Sequence, residues 1–301
     1  MPDNEKQFET DIESFLISPA GGWQKATDAG YRSETSKGMA LDLETLLQFV
    51  QSTQPITWQR FVRQCKVEPQ RKFYKAFQDA VDADGLIAVL RHGFRYRGME
   101  FRVCYFKPES TLNATANRNY QQNICQCVRQ WHYTHENNNS VDMMLAVNGI
   151  PVVALELKNQ LTGQSIDDAK MQWMNSRDPR EDCFRLNRRV LAFFAVDLYN
   201  AAMATELNGE KTYFLPFDQG SNGPGQDGGA GNPATEDGDY VTSYLWKEVL
   251  QKDKLLDILQ KFISFQVTRE HIRQPDGSMR QVVKRRVIFP RYHQLDVVRK
   301  L

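Results

Sequence analysis

The chain has 301 residues, of which 41% are hydrophobic and 25% are charged, a composition typical of folded globular proteins and not of disordered ones. Its formal net charge is only +1, so any surface that binds nucleic acid has to be local. The longest strictly apolar run, 190–196, is much shorter than a membrane span, and the acidic start of the chain does not resemble a signal peptide. We therefore expect a cytoplasmic protein with no membrane partner.

Helical periodicity dominates the first 90 residues. Glu9 and Glu13 lie one turn apart on the first predicted helix, where they form either a solvated acidic face or part of a site. Gly85 indicates a break or a cap inside the last one. We interpret residues 1–90 as a helical segment that packs partly on the core that follows. The predicted helices are Asn4–Leu16, Leu41–Gln51, Thr57–Cys65 and Pro69–Leu90.

The middle of the chain mixes strand and helix patterns. Gly98–Phe106 and Asn123–Thr134 alternate as strands do, and Asp167–Ser176 has helical periodicity. Val190–Val196 is a short apolar run typical of a fully buried strand. This order predicts an α/β fold, a mixed β-sheet flanked by helices, with its core in 91–217.

The last part of the chain begins with a glycine-rich stretch, 218–239, which we interpret as a long loop. An amphipathic helix is predicted for Tyr244–Phe265, and a basic segment follows at 282–287. We expect residues 240–290 to complete the domain.

The segment Ser140–Lys158 carries the most informative pattern. Two apolar runs flank Asn148-Gly149, a dipeptide typical of a tight hairpin turn. Asp142 starts the first predicted strand and Glu156 lies near the end of the second, with Lys158 on the same face as Glu156. A regular two-residue turn would place the two carboxylates on opposite faces, whereas an odd loop or one β-bulge would bring them together. We predict the odd register.

Two carboxylates and an ammonium group suit phosphodiester hydrolysis. Mg²⁺ binds one or two carboxylates, keeps several water molecules and can activate one of them near neutral pH. Asp142, Glu156 and the backbone carbonyl of Leu157 are candidate ligands, and Lys158 would stabilise the phosphate charge or orient the attacking water. The alternative is an exposed salt bridge between Glu156 and Lys158, worth less than about 1 kcal/mol.

Polar residues after the hairpin are candidates for contacts with DNA. Gln172, on the predicted helix, would hydrogen-bond a site carboxylate, a water molecule or a base edge, or would simply lie on the surface. A group of arginines would contact phosphates or, equally, belong to a solvated face: Arg177, Arg180, Arg185, Arg188 and Arg189.

The spacing Asp142-x13-Glu156-x-Lys158 resembles the PD-(D/E)xK nuclease motif. Over roughly residues 85–300 the chain also resembles the N-terminal part of the R (restriction) subunit of type I restriction enzymes. The segments that carry this resemblance include Tyr105-Phe-Lys-Pro108, Asn148-Gly-Ile-Pro-Val152, Glu156-Leu-Lys-Asn159, Leu161-Thr-Gly-Gln164, Arg177-Asp-Pro179 and Tyr244-Leu-Trp246.

The resemblance implies an endonuclease that cuts double-stranded DNA with Mg²⁺, or with Mn²⁺ as a substitute. It implies catalytic roles for Asp142, Glu156 and Lys158, and for a helical carboxylate that would be Glu9 or Glu13. A Q-x-x-x-Y motif of some relatives is half present, because Gln172 is followed by serine and not tyrosine at position 176.

The resemblance also implies partners. In this family the nuclease region precedes an ATP-driven DNA translocase and works with modification (methyltransferase) and specificity subunits. These 301 residues contain no G-x-x-x-x-G-K-[ST] phosphate loop. We therefore expect ATP to bind only in motor domains outside this chain, and residues 291–301 to begin a linker toward them. Two other functions stay open: a nuclease-like docking module and a stand-alone structure-specific DNA nuclease.

Overall fold

The computed structural model describes residues 4–110, 112–235, 238–273 and 278–300. Its strands within these ranges are β1 (Gln24–Ala26), β2 (Phe94–Tyr96), β3 (Met99–Phe101), β4 (Cys125–His132), β5 (Ser140–Val147), β6 (Ile150–Leu157), β7 (Ala192–Val196), β8 (Ala201–Ala204), β9 (Leu215–Pro216), β10 (Ser264–Arg273) and β11 (Met279–Ile288). The main sheet has seven strands in the order β1-β4-β5-β6-β7-β8-β9. β1 is parallel to β4 and β6 to β7, and the other neighbours are antiparallel.

The α-helices of the same ranges are α1 (Asn4–Leu16), α2 (Leu43–Thr53), α3 (Pro55–Cys65), α4 (Pro69–Asp84), α5 (Leu86–His92), α6 (Ala114–Gln121), α7 (Ile166–Ser176), α8 (Lys252–Asp257) and α9 (Tyr292–Lys300). The predicted α/β fold, a mixed sheet flanked by helices, is confirmed. Gly85 separates α4 from α5, as predicted, and its φ of 83° suits a residue without a Cβ. None of the described helices has the length and apolarity needed to cross a membrane.

Apolar side chains cover both faces of the main sheet. Neighbouring residues of β7 divide between two clusters, with Phe194 in the larger and Phe193 in the smaller. The larger cluster runs from Phe8 on α1 to Leu295 on α9, so residues of 1–90 and 240–290 share a core with the central strands. Because both faces are covered, β6 and β7 are buried along their whole length.

Some predicted elements differ from the structure. The expected strand over Gly98–Phe106 is reduced to β3, which pairs with β2 in a separate small sheet. The expected helix Tyr244–Phe265 is divided into π-helical turns at Leu245–Val249 and Ile258–Phe262 around α8, because Gln251 caps a new helix between them. The following basic segment belongs to a long hairpin of β10 and β11. The described part of 218–239 forms neither helix nor strand, as predicted.

Candidate active site

A β-bulge in the central hairpin positions the candidate site. The turn is the predicted two-residue one, Asn148-Gly149, with φ of 53° and 77°. Between Leu145 and Ala146 the register shifts, so that Met143 pairs with Leu155 and not with Ala154. One extra residue on β6 places all the residues after it on the opposite face of the sheet from the one that they would occupy in a regular hairpin. The predicted odd register is confirmed, and a bulge produces it.

The shifted register brings Asp142 beside the end of β6. Leu157 donates its backbone N–H to Oδ2 of Asp142 over 2.7 Å. The backbone N–H of the next residue points to the opposite side of the strand, because Lys158 donates it to the carbonyl of Val196 on β7 over 2.9 Å. In an extended strand the N–H and C=O of one residue point to the same side. The carbonyl of Leu157, a candidate metal ligand, therefore points toward Asp142.

Glu156 is fully buried, and only one of its oxygens has a partner. Oε1 accepts hydrogen bonds from Nε and Nη2 of Arg177 at 2.9 and 2.6 Å. Oε2 has no hydrogen-bond partner in the described part of the chain. Burial, and after it the charge of Asp142, raises the pKa of Glu156 well above its ordinary value of 4.5, and Arg177 opposes this shift. An unpartnered buried carboxylate oxygen of this kind is a candidate ligand for a cation.

Arg177 belongs to this site and not to a DNA-binding surface. It follows the last residue of α7, and its side chain is only 4% exposed. Besides Glu156, its Nη2 atom binds the carbonyl of Ser140 at 2.6 Å, and the guanidinium lies 5.6 Å from the ring centre of Tyr133. The expectation that Arg177 contacts phosphates is wrong, because the ion pair with Glu156 uses its charge. Sequence reasoning missed this role, which no local pattern indicates.

Lys158 is buried at the same end of β6. Because Glu156 is buried too, the alternative of an exposed salt bridge between them does not apply. A lysine is rarely buried unless it is paired or functional. The contact of Lys158 with phosphate stays a prediction.

Of the two helical carboxylates, Glu9 is the one coupled to the site. Both are buried, so the alternative of a solvated acidic face is wrong. Glu9 accepts a 2.7 Å hydrogen bond from Arg129, and Glu13 binds Lys25 at 2.9 Å. The pKa of Glu9 is raised, mainly by burial and partly by the negative charge of Asp142. This coupling favours Glu9 over Glu13 as the additional acidic residue of the site.

Two further predicted phosphate contacts are also wrong. Arg189 is 0% exposed and donates to Oε1 of Gln78 at 2.6 Å, so it cannot reach DNA. Arg188 has a 16% exposed side chain and lies between Asp82 and Asp182, which neutralise it. The arginines are close together in sequence, but their side chains differ in exposure and in their partners.

Arg180 and Gln172 remain accessible. The side chain of Arg180 is 89% exposed and forms an ion pair with Asp178 at 2.8 Å. Gln172 is half-buried on α7, and its side chain makes no hydrogen bond within the described ranges. The contacts predicted for these two residues stay predictions.

The available oxygen atoms fit a magnesium ion. No three His, Cys, Asp or Glu side chains of the described residues are grouped closely enough to share a metal. Mg²⁺ does not require such a group, because it binds through one or two carboxylates and keeps several water molecules. Asp142, Oε2 of Glu156 and the carbonyl of Leu157 meet this requirement, and the unpartnered Oε2 is the feature that favours a cation.

A mixed sheet with helices on its faces, with two carboxylates and a lysine at the ends of two adjacent strands, is a fold of the PD-(D/E)xK nuclease type. Residues 9–222 match the family described as the type I restriction enzyme R protein N terminus. Because this match covers more than half of the chain, the protein belongs to that family. A comparison with curated proteins finds no match.

Proposed function

We propose that this chain is the endonuclease domain of a type I restriction enzyme R subunit, which hydrolyses phosphodiester bonds of double-stranded DNA with Mg²⁺. The observation that carries the proposal is the buried oxygen of Glu156 without a hydrogen-bond partner, at the end of the hairpin where the bulge also brings the carboxylate of Asp142. Membership of the restriction-subunit family supports the choice of reaction and substrate.

Each residue of the site has a role in this reaction. Asp142, Oε2 of Glu156 and the carbonyl of Leu157 would hold Mg²⁺, or Mn²⁺ in its place. When bound, such a cation lowers the pKa of a coordinated water and offsets negative charge on the phosphate. Lys158 would donate hydrogen bonds from its ammonium group to a phosphate oxygen or to the attacking water.

Arg177 acts as a positioning residue in this proposal. Two of its nitrogen atoms bind the same oxygen of Glu156, so the carboxylate is held in one orientation. Oε2 then stays directed away from the guanidinium and remains available to a cation. Because the pKa of Glu156 is raised by burial and by Asp142, a bound cation would also favour its ionised form.

The wider assembly is part of the same proposal. An ATP-driven motor in other domains of the R subunit would move DNA, and modification and specificity subunits would methylate and recognise it. The complex would work in the cytoplasm, where its DNA substrate is found.

Calorimetric titration of Mn²⁺ into the wild-type chain and the Asp142→Asn variant tests the proposal. We expect one Mn²⁺ site in the wild type, its loss in Asp142→Asn, and its retention in the control Asp178→Asn, which changes a carboxylate paired with Arg180. The absence of Mn²⁺ binding, or binding that is equal in all three proteins, would refute the metal site. A nuclease-like docking module would then be the better explanation.

A further inference from the structure

A basic β-ribbon, formed by β10 and β11, lies outside the candidate active site. Its two strands pair antiparallel over ten residues each and are not hydrogen-bonded to the main sheet. Ten residues of strand span about 33 Å, close to the length of one turn of B-DNA, about 34 Å. The ribbon also lies beyond residues 9–222, which match the family.

The root of the ribbon is fixed to the domain. Val287 is buried, Phe265 packs against the larger apolar cluster, and the hydroxyl of Thr205 donates to the carbonyl of Val287 over 2.8 Å. Glu156 on β6 pairs with Ala195 on β7, which in turn pairs with Ala202 on β8. Thr205 follows Ala202 by three residues. Strand spacings therefore place Thr205 about 10 Å along and about 10 Å across from Glu156.

The two faces of the ribbon each carry three cations. Residues that pair across antiparallel strands point to the same face. Arg269 pairs with Val283, Arg273 with Met279 and Arg285 with Val267, which places these three arginines on one face, called here the arginine face. The opposite face, called here the paired face, carries Arg280, Lys284 and Arg286.

The two faces differ in how their charges are used. On the paired face, Lys284 binds Glu270 at 2.7 Å, and Arg286 donates twice to Oε1 of Gln266 at 3.1 and 2.9 Å. The arginine face contains no carboxylate within 264–273 and 279–288. Its three arginines are exposed and form no ion pair with any residue that the structure describes. The chain as a whole has a net charge of only +1, so this face is a local concentration of free positive charge.

The spacing of the arginines suits a regular array of phosphates. Arg285 lies opposite Val267, so the three guanidinium groups branch from positions about 7 Å and about 13 Å apart along the ribbon. These intervals are close to two and four times the 3.4 Å rise of duplex DNA. Each arginine lies directly opposite an exposed apolar side chain on the other strand: Val283, Met279 or Val267. These apolar side chains would contact sugars or base edges.

We propose that the arginine face of this ribbon binds duplex DNA, with Arg269, Arg273 and Arg285 contacting phosphates. A two-stranded ribbon is narrow enough for the major groove, and arginine forms charge-assisted hydrogen bonds with phosphate. This inference rests on the proposed function, because it names a second contact with the same substrate. The ribbon binds one part of the duplex at a distance from the carboxylates, while the site at the end of β6 acts on another part.

Two triple variants with equal changes in charge test this inference. One is Arg269→Gln/Arg273→Gln/Arg285→Gln, and its matched control on the paired face is Arg280→Gln/Lys284→Gln/Arg286→Gln. Binding of a DNA duplex is measured by fluorescence anisotropy in EDTA, so that neither metal nor cleavage is involved. In the arginine-face variant we expect about tenfold or greater loss of affinity near 0.1 M salt and a salt dependence shallower by about three phosphate contacts. The control should stay within about threefold of the wild type.

Three outcomes would overturn the inference: no DNA binding by the wild type, unchanged affinity in the arginine-face variant, or equal losses in both variants. Unchanged affinity would leave an acidic protein partner as the better ligand for this face. All six side chains are exposed, so both variants should melt at the wild-type temperature. Mn²⁺ titration of the same variants separates the two proposals, because the metal site should be unaffected by either change.

Discussion

Arg177 binds one oxygen of Glu156 through two of its nitrogen atoms and leaves the other oxygen without a hydrogen-bond donor. The ion pair is buried on both sides, with side-chain exposures of 4% and 0%. A buried carboxylate with no cation near it would take up a proton. Arg177 therefore favours the ionised form and fixes the direction of the free oxygen.

Replacement of Arg177 by alanine should destabilise the fold. The variant leaves a buried carboxylate without its cation, a change that costs about 3–5 kcal/mol of unfolding free energy. Urea denaturation at neutral pH measures this loss. Arg180→Ala, three residues away at an exposed position, is the control and should change stability by less than about 0.5 kcal/mol. Similar losses in both variants would argue against a structural role for the buried pair.

Glu156 should make the stability of the metal-free protein depend on pH. Its folded-state pKa lies above 4.5, its ordinary value, because of burial and then Asp142, so the fold favours its protonated form. This contribution to stability is fully present below about pH 4.5 and is lost as pH rises through the folded-state pKa. In EDTA, the melting temperature of Glu156→Gln should therefore rise relative to the wild type as pH increases over this window. Glu34→Gln, at an exposed position, is the control, and a pH-independent difference for Glu156→Gln would contradict the prediction.

Glu9 and Glu13 should differ in their effect on metal binding. The charge of Glu9 is coupled to that of Asp142. Glu13 lies one helical turn after Glu9 and forms an ion pair with Lys25. Glu9→Gln removes a negative charge near the cation, and we expect Mn²⁺ affinity to fall by about tenfold or less, as for charges separated by a partly polar medium. Glu13→Gln should leave the affinity unchanged. Calorimetry measures both, and equal effects would show that α1 acts only through overall charge.

Substitution of two matched glycines should separate backbone strain from steric conflict. Gly149 and Gly98 have nearly the same left-handed φ, 77° and 76°. A Cβ at Gly149 would lie 2.3 Å from the carbonyl oxygen of Asp42, whereas a Cβ at Gly98 would meet nothing within 4 Å. We expect Gly98→Ala to lower the unfolding free energy by about 1–2 kcal/mol and Gly149→Ala by about 1–3 kcal/mol more. Urea denaturation of both variants checks this difference, and equal losses would show that the contact with Asp42 relaxes.

Local patterns predict much of this fold. The turn at Asn148-Gly149 follows from residue types that accept positive φ, and Asn4–Leu16 follows from its apolar periodicity. The only local signal for the bulge is Pro151, because proline inside a central strand is typical of a bulge, while Val152 and Val153 would equally well continue a regular strand. The odd register is predicted from the requirement that two carboxylates act together.

Residues that interact over long sequence separations are harder to predict. Arg177 and Glu156 are separated by 21 positions, and their contact depends on where α7 ends against the sheet. The ribbon of β10 and β11 is hidden for another reason. Its apolar residues, such as Val267 and Val283, are exposed, so they do not mark a buried face.

The bulge gives β6 one residue more than a regular hairpin needs. Val152 is this extra residue, because Ala146 pairs with Pro151 and Leu145 pairs with Val153. Removal of Val152 would keep the turn and leave Glu156 on the face of Asp142, since the residues from Val153 onward would keep their partners on β5. Removal of a second residue would move Glu156 opposite Met143, and its side chain would then enter the larger apolar cluster. This segment therefore tolerates the loss of one residue but not of two.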